Sequence, residues 1–360
     1  MLMKPDAKPS KFKDILSHDD IRDRWRRVKQ YFFLRESTFD MTRRCNIRCE
    51  GCYFYAGAKQ HVADETDERL WRRLMQAEKA RGITFVVLAG AEPSLAPRLC
   101  RCCHDVIGLG CIATNGIQRI ADDIGYRIHI SVWGDDATSL RIRGAKHMLR
   151  RQIDNYAGDP RAVFVYTFTR QNIDQIGPVM DELARHDCRA TFNMFSATAD
   201  YHGNLRHDTQ SLIATRRAML EMIGRYPSHV LFSPYNAVVH TYPVGLHALF
   251  DCPYPRRNPS TAVGLGRSFR QYRADLTWDR QASCCVPDTD CADCRHYAAG
   301  SAVVTSRMMR HAVSPDMFRA WLDYVDTYLA VWVNGYEKGC NLSDRLTPPP
   351  ERGHRQGHRS

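Results

Sequence analysis

Three cysteines, Cys45, Cys49 and Cys52, fall within eight positions in the stretch CNIRCEGCY, and no fourth lies nearby. Thiolates so gathered are ligands for soft metals. On a helix the same spacing would line them along one face as a cysteine-rich core. Asn46, Gly51 and the charges Arg48 and Glu50 make that helix a poor one. A structural zinc ion asks for four ligands in short paired spacings. A four-iron cube held by three thiolates leaves one iron without a protein ligand, and that iron can take a small molecule as an open catalytic metal position does. The missing ligand is then the functional feature.

A second group lies far downstream. DCPYPRR and SCCVPDTDCADCRHY supply Cys252, Cys284, Cys285, Cys291 and Cys294. Cys291-x2-Cys294 followed by a basic residue is a metal-knuckle pattern, open to zinc or to an iron–sulfur cluster. A third group, Cys100, Cys102, Cys103 and Cys111 in LCRCCHDVIGLGC, falls where a helix is expected and reads as buried packing. His354 and His358 sit in a Pro- and Gly-rich tail and read as solvated.

Elements must bring the first group to a site. In the first 35 residues Ile21, Trp25, Val28 and Phe32 recur at helical spacing and predict a helix laid against the main body. From residue 37 short apolar runs alternate with amphipathic ones. Strands are expected over 37–44, 83–90, 111–116, 126–134, 162–170 and 189–196, and helices over 67–82, 177–187 and 208–225. Pro178 belongs in the first turn of its helix. This rhythm is that of parallel βαβ units, about six of them, in an open sheet or a barrel. A strand ending at Arg44 sets the three cysteines in the loop at its carboxyl end, where parallel α/β folds build their sites. After about residue 228 HVLFSPYNAVVHTYP predicts strands without intervening helices. Ser314 and Pro315 then open a helix through DMFRAWLDYVDTYLAVWV.

With the motif in that setting, CNIRCEGCY resembles the C-x3-C-x2-C signature of the radical S-adenosylmethionine (SAM) enzymes. The resemblance covers roughly residues 37 to 225. It implies a partial (β/α)6 TIM-type barrel in which Cys45, Cys49 and Cys52 hold a [4Fe–4S] cluster. The open iron would chelate the amino and carboxylate groups of SAM, and an electron would cleave the sulfonium to methionine and a 5′-deoxyadenosyl radical that abstracts hydrogen from substrate. The family often has an aromatic residue before the third cysteine; here it is Gly51, with Tyr53 and Phe54 as the nearest candidates for an adenine contact.

LAGAEPSL resembles the family's glycine-rich GGEP element, with Gly90, Ala91, Glu92 and Pro93 in the matching places and Ala91 replacing one glycine. A strand-end backbone and a carboxylate suit a cationic amino group. ATNG resembles the turn after the third strand, which implies Asn115 at the ribose. ISVWGDDATSLRIRGA resembles the strand-four segment, which implies Ser131 at the ribose or methionine part of SAM and Arg143 at its carboxylate, where a guanidinium fork fits.

The downstream cysteines resemble the auxiliary-cluster extensions called SPASM and twitch domains. The likeness implies one auxiliary [4Fe–4S] cluster on Cys252, Cys284 or Cys285, Cys291 and Cys294; a second complete cluster would need Cys340 as well. The expected organisation is a helical extension over 1–35, the partial barrel over 36–228, a smaller cysteine-rich auxiliary-cluster domain over 229–345 and a disordered tail over 346–360.

The chain has 360 residues, enough for a large core, and 51 Lys and Arg against 40 Asp and Glu give a net charge of +11. That excess suits an acidic partner and carries little weight alone. MLMKPDAKPSKFKD lacks an apolar signal stretch and no long apolar run is present, so a cytoplasmic protein outside the membrane is expected, where fourteen cysteines favour metals over disulfides. The family combination implies a low-potential flavodoxin- or ferredoxin-type electron donor and a small-molecule or peptide substrate, oxidised or crosslinked. No extra domain is seen for cobalamin. The rival from another class is a non-enzymatic zinc or iron–sulfur protein binding nucleic acid through its basic surface, with salt-sensitive affinity.

Overall fold

In a computed structural model the chain is described over residues 12–56, 61–246, 252–254, 269–280, 283–284 and 289–336. Six strands follow one another across a parallel sheet: β1 (Glu36–Asp40), β2 (Phe85–Ala89), β3 (Gly110–Thr114), β4 (Arg127–Val132), β5 (Ala162–Phe168) and β6 (Ala190–Met194). A short β7 (Gln271–Tyr272) adds to the outer edge of β1, again parallel, through Thr38↔Gln271 and Phe39↔Tyr272. The order β6-β5-β4-β3-β2-β1 never reverses. Right-handed crossovers that always step the same way put the intervening helices on one face, so the sheet curls around its other face. A doubly wound sheet would show a switch point. The architecture is therefore α/β with an incomplete barrel, open beyond β6, whose added edge is a single bridge from Ala190 to Val230 among the described residues.

The helices α1 (Asp19–Lys29), α2 (Glu68–Ala80), α3 (Pro97–Val106), α4 (Asp136–Arg143), α5 (Met148–Tyr156), α6 (Ile176–Arg185), α7 (Thr209–Arg225), α8 (Pro234–His240), α9 (Tyr297–Thr305) and α10 (Pro315–Trp332) complete the fold. Their starts follow local chemistry. Asp67 caps α2 by accepting from Arg69 N, Asp208 and Ser211 form a reciprocal box on α7, and Ser314 with Pro315 opens α10 as the sequence predicts.

Two sequence expectations give way. The stretch 228–243 holds α8 instead of strands: Ser233 accepts from Asn236 N and Pro234 fills the first turn, so a strong start signal overrides the β-branched Val238 and Val239. Phe32 lies past the end of α1 at Lys29 and is 54% exposed, although its ring still meets Trp25 at 5.4 Å. Ile21 and Val28 are buried and Trp25 is packed, as expected, but their partner is α10. Trp25 lies 5.8 Å from Phe318 and 6.2 Å from Trp321, and Arg24 pairs with Asp323 at 2.6 Å and Asp326 at 2.9 Å.

Helix α10 closes the strand-start end of the barrel. Its last turn presents carbonyls with no helical donor, and β4 supplies donors. Arg127 donates to Ala330 O at 3.0 Å and Val333 O at 2.9 Å, and the His129 ring meets Val331 O at 2.8 Å. One apolar cluster therefore joins α1, Phe85 of β2, Cys111 of β3 and α10.

Candidate functional site

Along each strand, side chains two apart face the same way. Glu36 and Thr38 of β1, His129 and Ser131 of β4, and Val165 and Thr167 of β5 line a single cavity of about 220 Å³ inside the curled sheet. Its mouth is built from strand ends, and every cofactor residue expected from the sequence lies on it: Cys45, Cys49, Cys52, Gly90, Ala91, Glu92, Asn115, Ser131 and Arg143. These positions span almost a hundred residues of chain and meet because successive parallel strands end side by side.

Cys45 to Cys52 form a loop and not a helix, which removes the cysteine-lined helix face. The loop is tied down from two directions. Glu50 N donates to Ile142 O at 2.8 Å, and Asn115 Nδ2 donates to Asn46 Oδ1 at 2.7 Å and lies 3.9 Å from Cys45 Sγ. Arg143 Nε donates to Cys49 Sγ at 3.5 Å while its other arm reaches Ser131 O, and Trp133 lies 5.8 Å from the guanidinium. Burial pushes the Cys45 and Cys52 thiols up, and all three cysteines line the one cavity. Among the described residues no three Cys, His, Asp or Glu side chains converge as one metal ion requires. Three thiols spread around a shared space, with a guanidinium beside one of them, suit a larger cluster better than a single zinc with bonds of about 2.3 Å.

Glu92 is 1% exposed and already engaged. Its Oε1 accepts from Ser94 N at 2.9 Å and Thr114 Oγ1 at 2.6 Å, and its Oε2 accepts from Asn115 N at 2.8 Å. The sequence reading aims this carboxylate at an amino group; the geometry makes it first the clamp between the ends of β2 and β3, with little acceptor capacity left. Gly90 has φ +110°, and a Cβ there would stand 2.8 Å from Met41 N, so this strand-end position takes only glycine. Glu92→Gln would turn an amide N–H on one of these three donors. We expect a loss of about 1–3 kcal/mol in unfolding free energy, read by urea titration.

Asn115 is 5% exposed; its Oδ1 accepts from Ile117 N at 3.0 Å, so it braces the cysteine loop as well as lining the cavity. Gln152 of α5 holds β3 and β4 together by donating to Asn115 O at 2.7 Å and Ser131 O at 2.8 Å. The Ser131 hydroxyl lines the cavity and has no hydrogen-bond partner among the described residues.

Tyr53 and Phe54 line the cavity as well, but the aromatic nearest to Gly51 comes from elsewhere. Gly51 has φ +64°, and a Cβ there would stand 2.7 Å from the ring of Phe195, at the end of β6. Phe195 packs at 5.3 Å from Tyr201 and 5.8 Å from Trp133. Sequence reasoning misses Phe195 because nothing local links it to residue 51. It also misses Glu36, His296, Tyr297 and Trp332 on the cavity wall. For Glu36 a signal exists, the alternation Glu36-x-Thr38 along β1.

The downstream cysteines also converge. The Cys294 thiol is pushed up by burial and feels Cys284, Cys252 and Cys291. Asp290 caps the turn Cys291–Asp293 by accepting from Ala292 N, and the segment docks beside the end of β6 through Asp290 N to Ala197 O at 2.9 Å and Arg295 N to Ser196 Oγ at 2.9 Å. Two and three residues past Cys294, His296 and Tyr297 line the barrel cavity, so the two cysteine groups flank one wall. Cys285 and Cys340 lie outside the described residues. Cys100, Cys102 and Cys103 are buried on α3, and Cys111 faces the other core. Burial pushes the Cys100 thiol up to about 12, as for packing thiols.

No protein-family model matches the sequence, and no curated protein matches it. Among solved structures the chain is similar to Streptococcus suis SuiB bound to precursor peptide SuiA, with 16% identity and a TM-score of 0.49 over 70% of this chain and 61% of that one. It is also similar to native anSMEcpe with bound AdoMet and Kp18Cys peptide, at 12% identity and 0.43, over 57% and 65%. The match to SuiB thus spans about six tenths of that protein's length. Identities and TM-scores this low assign no reaction. No helix among the described residues is long and apolar enough to cross a membrane.

Proposed function

We propose that the chain is a radical SAM enzyme with an auxiliary iron–sulfur cluster, acting on a small-molecule or peptide substrate. The observation that carries this is the meeting of Cys45, Cys49 and Cys52 with Gly90–Glu92, Asn115, Ser131 and Arg143 around one cavity at the carboxyl ends of parallel strands. Cys45, Cys49 and Cys52 would hold a [4Fe–4S] cluster with one corner left for SAM. Cys252, Cys284 or Cys285, Cys291 and Cys294 would hold the auxiliary cluster, and Cys284 is buried within reach of Cys294. When bound, cluster and SAM supply a 5′-deoxyadenosyl radical that takes hydrogen from a substrate C–H bond.

The chain's own groups prepare that chemistry. Arg143 donates to the Cys49 sulfur and to Ser131 O, and so ties the cysteine loop to the end of β4. Glu92 and Gln152 fix the relative heights of the three strand ends, so that donors from β2, β3 and β4 stay aligned without reorganisation. The Ser131 hydroxyl and the backbone beside Gly90 offer hydrogen bonds to a polar ligand. Phe195, Trp133 and Tyr297 wall the cavity and keep water from a reactive intermediate. A flavodoxin- or ferredoxin-type donor would supply the electron, in a reducing cytoplasm.

Anaerobic reconstitution followed by reduction with SAM tests the reading. The expected result is a brown protein with about eight irons per chain that releases 5′-deoxyadenosine, falling to about four irons in a Cys291→Ala/Cys294→Ala double variant. Zinc in place of iron, with no 5′-deoxyadenosine, would sink it.

A further inference from the structure

The inner end of the cavity is chemically unlike its mouth. Glu36 is the first residue of β1, four positions before the strand ends, so it lies about 13 Å deeper than Asp40 along the strand. Its carboxyl borders the same cavity as the three cysteines. Tyr254 donates to Oε1 at 2.8 Å, and Oε2 has no partner among the described residues. The other titratable groups in its electrostatic reach are the Cys111 thiol on β3 and the Tyr328 phenol on α10, both neutral acids. Among the described residues no cation faces it, although the chain carries a net charge of +11.

A half-buried carboxyl without a counter-charge among the described residues is costly as an anion. Here it is kept at the end of a cavity instead of being replaced by an apolar side chain. The surroundings suit a cationic guest. Tyr254, Tyr297 and Trp332 present aromatic surface to the same space, Tyr297 and Trp332 stacking at 5.1 Å. His129 on this wall offers no competing charge, since burial pushes it down to about 4.

We propose that Glu36 is a specificity anchor that receives an ammonium or guanidinium group of the substrate, with its alkyl chain running past Tyr297 and Trp332 towards the cysteine end. The proposal rests on the radical reading only for naming the guest as the molecule whose C–H bond reacts. Its length logic is simple: a cation fixed at Glu36 holds a carbon several bonds away near the strand ends, where the reacting atom belongs.

The test uses the full chain isolated anaerobically with its clusters, titrated calorimetrically with n-butylguanidinium, n-butylammonium and uncharged n-butanol. One or both cations should bind the wild type at least tenfold more tightly than n-butanol. Glu36→Gln should lose that margin. Glu36→Asp, which keeps the charge and shortens the arm, should keep cation selectivity and shift its preference from the butyl to the pentyl homologue; it also decides the matter if the glutamine variant fails to fold. Equal binding of cations and n-butanol, no binding of either cation to the wild type, or unchanged cation affinity in Glu36→Gln would each overturn the anchor. Absence of 5′-deoxyadenosine in the wild type would instead sink the radical reading and leave the binding result standing by itself.

Discussion

Cys49→Ala is expected to remove SAM cleavage, lowering 5′-deoxyadenosine formation at least a thousandfold while the protein stays folded. Two thiolates cannot cap three irons of a cube, so the alanine variant should also lose about four irons per chain. Cys49 is the best of the three to change, because its sulfur takes the Arg143 contact at 3.5 Å and its loop is held by other bonds. Glu50 N and Asn46 Oδ1 keep their partners when the thiol goes. Circular dichroism and thermal unfolding should therefore change little. Product formation at the wild-type rate with the full iron content would remove the three-cysteine site from the reaction.

Arg127→Met is expected to be the most damaging change away from the cysteines, costing about 3–5 kcal/mol of stability in urea unfolding. The side chain is 1% exposed and donates to Pro160 O at 2.9 Å as well as to two carbonyls in the last turn of α10. Methionine fills much of the volume but returns none of the donors; Pro160 O keeps Arg189 and Val333 O keeps Tyr336 N, while Ala330 O loses the donor that Arg127 supplied. A cation at a helix C-terminus also interacts with the helix dipole, which adds to the loss. Trp332 and Val331 are carried by that turn, so the inner wall of the cavity should loosen with it. A stability change below about 1 kcal/mol would show that the turn is held by apolar packing alone.

Much of the site could be read from the chain. The C-x3-C-x2-C spacing needs no partner to be recognised, and strand-end positions follow from the βαβ rhythm, since each parallel strand delivers its last residues to the same end. Gly90, Asn115 and Ser131 were set beside Cys45 by the resemblance of their segments to the radical SAM family, which that rhythm accommodates. The stretch around Val238 and Val239 was legible only in part, because a local cap competed with β-branched side chains and tertiary packing chose the helix.

Glu36 and Phe195 belong to the other category. Their roles depend on what lies across the cavity, Tyr254 more than two hundred residues away for one and Gly51 for the other, and no local pattern encodes such encounters. Likewise α1 chose α10 as its partner through contacts between the two ends of the described chain. The amino-acid sequence determined which chemistry was available and at which end of the strands it gathers, because spacing and periodicity are local. Only the tertiary structure decided what occupies the inner end of the cavity, because burial and counter-charge are properties of neighbours distant in the chain.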